Sequence, residues 1–201
     1  MLISSYNNKG LKDVLIIQLR ECTIENQMIE RKGNMTKIYE KESGETVGYN
    51  LFNASEILDL FGNGPVTLTE EQVKILNEYI KLNNWTETLK ADNSPKFVVG
   101  HVIECKPLEG SDHLNITKIE IDNDEVVQIV CGAENIKAGQ KVVVAKPGSI
   151  MPDGLVIWPG ELRGVKSNGM VCSAKELGLE QKSKGILVLE GSEETGRIFS
   201  I

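Results

Sequence analysis

The chain has 201 residues, 40% of them apolar and 25% charged, with a formal net charge of −7; this is an ordinary globular composition, long enough for one large domain or two small ones. The negative balance excludes a protein that gathers polyanions through its overall field, so any nucleic-acid contact has to come from a local patch. Residues 1–94 hold 10 basic and 14 acidic side chains and residues 95–201 hold 12 and 15, so neither half is basic.

The start Met-Leu-Ile-Ser-Ser-Tyr lacks the basic n-region and long apolar h-region of a signal peptide, and no run of roughly 18 or more apolar residues occurs. The expectation is a cytoplasmic protein with no membrane partner. Cys22, Cys105, Cys131 and Cys172 are widely scattered, and without an export signal they read as free thiols. No C-x-x-C pair occurs, and His101 and His113 lack a second ligand pair at zinc-finger spacing, so neither a metal nor a cofactor is expected.

In chain order, Leu2–Tyr6 and Val14–Leu19 are β-rich runs around Asn7-Asn8-Lys9-Gly10, a hairpin pattern. Cys22–Glu30, Met35–Glu40 and Thr46–Phe52 read as further strands. Asn53-Ala54-Ser55 predicts the cap of a short helix through Leu60, stopped by Gly62-Asn63-Gly64-Pro65. Thr69-Glu70-Glu71-Gln72 matches a capping box, and Val73, Leu76, Tyr79 and Ile80 follow at helical spacing. Residues 1–93 therefore read as a small α+β domain whose role the sequence does not state. The polar segment Lys90-Ala91-Asp92-Asn93-Ser94-Pro95 is the linker candidate. Beyond it, in residues 94–201, the strand candidates are Phe97–Cys105, Leu114–Ile121, Val126–Val130, Lys141–Ala145 and Gly185–Leu189. Five strands broken by glycine and proline turns suit an all-β barrel, whose closure removes exposed edges.

Chemistry concentrates in Leu162-Arg163-Gly164-Val165-Lys166-Ser167-Asn168-Gly169-Met170-Val171-Cys172-Ser173-Ala174-Lys175. The two early glycines permit tight turns or close approach of a ligand, while Arg163, Lys166, Ser167, Asn168, Ser173 and Lys175 gather cationic, hydroxyl and amide donors suited to phosphate and ribose oxygens. Read from the residues alone, glycines that only shape a barrel corner beside solvated charges account for the stretch equally well. Met170 and Cys172 alternate with polar neighbours as strand residues facing a core do. Asn135 suits either a loop cap or an RNA contact.

This stretch resembles the R-G-x-x-S-x-G-M-x-C-S signature of the tRNA-binding domain family. Val130-Cys131-Gly132-Ala133-Glu134-Asn135 is similar to that family's V-C-G-A-x-N, and Gly139 to Ala145 to its G-x-K-V-x-V-A. The resemblance covers about Phe97 to Glu190, and the two-part layout is similar to the YtpR-type stand-alone members. The family also includes the C-terminal extension of bacterial methionyl-tRNA synthetases and an N-terminal module of the phenylalanyl-tRNA synthetase β subunit. The resemblance implies an OB-fold barrel that binds tRNA without catalysis, with Arg163, Lys166, Ser167, Asn168, Met170, Ser173, Asn135 and Lys175 as candidate RNA-binding residues. It also implies work beside an aminoacyl-tRNA synthetase and homodimer formation. The chain departs from the family's H-P-x-A-D-K-L turn at Pro107 to Leu114, where His113 stands in place of a lysine.

Two rival readings remain. A thiol enzyme pairing Cys105, Cys131 or Cys172 with a histidine lacks any local nucleophile signature. A dimerisation or scaffold module of the translation machinery, with RNA binding weak or lost, is compatible with the acidity. A complete synthetase is excluded, because no adenylate-forming domain fits into the first 93 residues. Phe97, Trp158 and Phe199 are the only aromatic residues of the barrel half, too few for the stacked-base platform of a single-strand coat protein. Trp158 reads as a core or loop anchor, and Asp112 as a turn residue.

Overall fold

The computed structural model describes residues 1–201, which divide into two compact units, Met1–Ser94 and Pro95–Ile201. In the first, β1 (Ile3–Asn7) and β2 (Val14–Gln18) form the expected hairpin. β3 (Gln27–Lys32), β4 (Met35–Glu40), β5 (Thr46–Phe52) and the short β6 (Gly64–Pro65) complete a six-stranded sheet in the order β3-β4-β5-β2-β1-β6. Every pairing is antiparallel. Alternation places Leu15, Ile17, Met35, Tyr49 and Leu51 on one face, where they pack with Val73, Leu76 and Ile80 of α1 (Glu70–Leu82).

Local chemistry starts α1. Thr69 Oγ1 accepts from the Gln72 N–H at 3.2 Å, and Gln72 Oε1 accepts from the Thr69 N–H at 2.9 Å, a complete capping box. After α1 the chain returns across it as an extended strap. The Asn77 amide donates to the Leu89 carbonyl at 2.9 Å and accepts from the Leu89 N–H at 2.7 Å. Further along the strap the Glu87 carboxylate accepts from Lys37 Nζ at 2.6 Å, from Tyr49 OH at 2.9 Å and from the Thr46 hydroxyl.

Two expected elements differ. The helix expected through Leu60 is a single 3-10 turn, Ala54–Glu56, because Asn53 sits in the left-handed region at φ 52° instead of at a helix cap. The Ser55 N–H is satisfied by Asp13 Oδ1 at 2.9 Å. The strand expected from Cys22 begins only at Gln27, after the 3-10 turn Ile24–Asn26.

The second unit is built on β7 (Phe97–Pro107), β8 (Asn115–Glu120), β9 (Val126–Cys131) and β10 (Lys141–Ala145). They are followed by the hairpin β11 (Pro159–Leu162) and β12 (Val165–Asn168), then β13 (Met170–Val171) and β14 (Val188–Leu189). The ladder runs β13-β10-β7-β8-β9, with β14 also on β10. The ends of this path meet. Gln128 Nε2 of β9 donates to the Lys166 carbonyl of β12 at 2.8 Å, and the Val130 N–H donates to Ser167 Oγ at 3.1 Å. A Cβ at Gly169 would lie 2.7 Å from the Ala145 carbonyl oxygen and 3.4 Å from Ile129 Cδ1, so only glycine lets the chain pass between β10 and β9. The result is a small α+β unit followed by an OB-type barrel. Its fifth barrel strand is β13, inside the signature, whereas the expected strand Gly185–Leu189 is reduced to Val188–Leu189 beside β10.

β10 is buried on both faces. Val142 and Val144 join Val98, Val102, Ile119 and Ile129 inside the barrel. Val143 and Ala145 join Met151, Ile157, Cys172 and Leu177 in a second cluster. No helix of the structure is long and apolar enough to cross a membrane.

Candidate nucleic-acid interface

The β11–β12 hairpin turns at Arg163 and Gly164, with φ values of 48° and 80°. Positive φ at both central residues is the two-residue turn that matches strand twist, and an arginine there stores about 1 kcal/mol of strain. The guanidinium Nη1 of Arg163 donates to the Gly110 carbonyl, joining the hairpin tip to the β7–β8 loop. These two connections, between the first and second and between the fourth and fifth barrel strands, are the loops that flank the ligand face of an OB barrel. On the hairpin, exposed Lys166 lies opposite Glu161 in the ladder and exposed Asn168 opposite Pro159. Neither Lys166 nor Lys175 takes part in an ion pair, so both ammonium groups remain available to a phosphate.

The other candidate residues divide by what already occupies them. Ser167 is buried and its hydroxyl oxygen accepts from Val130 across the barrel seam. The Asn135 amide donates to the Ile186 carbonyl and accepts from the Ile186 N–H, both at 3.0 Å. That pairing substitutes for a strand neighbour and fixes Ile186, two residues before β14. Ser173 Oγ donates to Glu176 Oε2 at 2.6 Å and accepts from the Glu176 N–H at 3.2 Å, capping the turn that follows. Met170 is half-buried against the second cluster. Arg163, Lys166, Asn168 and Lys175 therefore present exposed polar atoms, while Ser167, Asn135 and Ser173 hold backbone and neighbouring side chains in place.

Met170, Ser173 and Lys175 line a cleft of about 520 Å³ with Cys131, Gly132 and Lys184. Asn135 lines a neighbouring cleft of about 810 Å³ with His113, Lys137 and Lys184. Lys137 and Lys184 are invisible in the sequence because an isolated loop lysine carries no pattern. Only the fold brings them to this face.

Three of the thiols are held in the protonated form, the weaker nucleophile. Burial pushes Cys172 up to about 12, and burial also raises Cys131 and Cys105. No group of three or more histidine, cysteine or acidic residues is placed to hold a metal ion.

Residues 97–197 match the family described as "Putative tRNA binding domain", and residues 23–92 match a "Domain of unknown function (DUF4479)". "Putative tRNA-binding protein YtpR" of Bacillus subtilis (strain 168) is 50% identical over 196 residues, covering 96% of this chain and 97% of that protein. The phenylalanine–tRNA ligase β subunit of Sulfurimonas denitrificans is 43% identical over 125 residues, 62% of this chain but 16% of that subunit. The corresponding subunit of Halalkalibacterium halodurans is 48% identical over 105 residues, 49% of this chain and 13% of the subunit.

Proposed function

The chain belongs to the tRNA-binding domain family, and from that premise we propose that it binds folded tRNA through the hairpin end of its barrel and performs no covalent chemistry. One observation carries this reading: the family signature forms the seam of the barrel, its hairpin strand presents exposed Lys166 and Asn168, and exposed Lys175 follows in the turn two residues after the signature. Phosphate and ribose contacts of this kind recognise the shape of a folded RNA and do little to read its bases. Arg163 adds a guanidinium that is already positioned by Gly110. Action in the cytoplasm beside an aminoacyl-tRNA synthetase follows from the same premise, supported by the shared module in the phenylalanine–tRNA ligase β subunits.

The test is a salt series of binding measurements with bulk tRNA, an RNA hairpin and single-stranded RNA of equal length. Affinity for tRNA should exceed that for the single strand and fall steeply with salt, and Lys166→Gln should lower the salt slope by about one unit. The net charge of −7 favours a second reading, a dimerisation or scaffold module of the translation machinery. Absence of RNA binding at low salt, with a concentration-dependent dimer in sedimentation, would select it.

A further inference from the structure

The two clefts beside the signature share Gly132, Ala133, Lys184 and Gly185, so they adjoin along that stretch as the two parts of one trough. Lys175 lines the first cleft, Lys137 the second and Lys184 both. We propose that this trough holds an unpaired strand of the bound RNA, with successive phosphates on these lysines and a base against Met170. The inference rests on the tRNA-binding reading and adds which feature of the RNA is gripped.

Three observations carry it. First, the charge is complementary: three lysines line the trough against Glu134 and Glu176, in a chain whose total is −7. Glu176 Oε2 is already engaged by the Ser173 N–H at 2.7 Å, and Glu134 meets Lys184 at 3.4 Å with both side chains more than 80% exposed. An ion pair so exposed contributes little and opens readily to a competing phosphate.

Second, the shared stretch includes two glycines, which leave backbone at the surface where a ribose–phosphate chain can approach closely. Gly185 has no substitute, because its φ is 94° and a Cβ would lie 2.1 Å from Asn135 Oδ1. Third, the trough is a concave surface to which two separate segments contribute, the Gly132–Lys137 loop and Lys175 to Gly185. A duplex offers proteins a wide, shallow groove and its outer backbone, whereas only an unpaired strand can send both phosphates and a base into a concave cleft. Met170 supplies a polarisable apolar surface for the base. His113 is the one ring in the lining, so base identity should matter little.

The experiment compares the full chain on three RNAs: a blunt hairpin, the same hairpin with a short unpaired 3′ extension, and one with a 5′ extension. At least one extension should improve affinity by about tenfold, the size of one moderate base contact. Lys137→Gln with Lys184→Gln should abolish that gain and lower the salt slope on the extended RNA by about 0.7 for each phosphate no longer neutralised. Glu134→Gln should act in the opposite direction and tighten the extended RNA, a result that a merely damaged fold does not produce. Equal binding of all three RNAs by the wild-type chain overturns the trough while leaving the barrel-end reading intact. Failure to bind any of them overturns both.

Discussion

At the scale of single residues, the candidate positions separate into those that bond to neighbouring structure and those that face outward, and substitution should separate them too. Ser167→Ala removes the acceptor of the Val130 N–H at the seam and is expected to cost about 1–3 kcal/mol of stability, the range for an orphaned buried donor. Urea unfolding should record that loss while tRNA affinity per folded molecule is unchanged. Arg163→Gly should do the reverse. Glycine relieves the strain of a positive φ and offsets removal of the bond to Gly110, so stability should move by less than about 1 kcal/mol. Binding of tRNA should weaken by about 1–3 kcal/mol, the range for one charge-assisted contact. At Gly185 the obstacle to alanine is the Asn135 side-chain oxygen 2.1 Å away, together with a φ of 94°. Gly185→Ala should therefore cost distinctly less in an Asn135→Ala background than alone, with only the backbone strain left, and a double-mutant cycle measures the difference.

At the scale of elements, the strap from Trp85 to Leu89 is anchored at its middle by the Glu87 carboxylate, as it is at its end by Asn77. Burial opposes the charge of Glu87, but bonds from Lys37, Thr46 and Tyr49 outweigh it and lower the group from 4.5 to about 2. A carboxylate depressed on folding adds stability that is complete above its ordinary value and is lost as pH falls toward the depressed one. The first unit should thus weaken between pH 4.5 and about 2. Glu87→Gln should cost about 1–3 kcal/mol at neutral pH and flatten that acid limb. Trp85 fluorescence in a Trp158→Phe background reads this unit alone, since each unit holds one tryptophan. A Glu87→Gln chain with an unchanged acid limb would remove the carboxylate from this role.

The same scale shows what sequence could disclose. α1 is legible because its determinants are adjacent: Thr69 and Gln72 satisfy each other three residues apart. Met35–Glu40, Thr46–Phe52 and Lys141–Ala145 are strands with the expected limits, since their apolar runs are bounded by polar or turn residues. The β11–β12 hairpin is not legible. β11 is exposed throughout, so it carries no apolar alternation, and its turn uses Arg163-Gly164 where the usual signal is Asn-Gly or Asp-Gly. The tasks of Ser167 and Asn135 are equally hidden, because their partners lie 37 and 51 positions away. Three ordered motifs disclosed the family, but only the fold tells which motif residues remain free to touch a ligand.

At the scale of the molecule, chain between α1 and β7 belongs to no regular element, yet its first part is anchored: Trp85 and Leu89 are buried. Limited proteolysis is therefore expected to cut after Ala91 and near Ser94, not within the strap, giving two resistant fragments that mass spectrometry can assign. The fragment from about residue 94 onward should retain tRNA binding. Cuts inside β7, or a single unit that resists as a whole, would count against independent domains.

The seam has a consequence for how the barrel folds. The bonds from Gln128 and Val130 to the β12 strand add no new strand to the ladder; they are ring-closing, and they restrain only a chain whose other pairings already exist. The β12 strand is thus fixed to β9 only while the ring is closed. A ligand that engages only the closed ring shifts the opening equilibrium by mass action, by about 2.7 kcal/mol when present at a hundred times its Kd. Bound tRNA should therefore slow amide hydrogen exchange first at Val130, the residue whose N–H closes the ring.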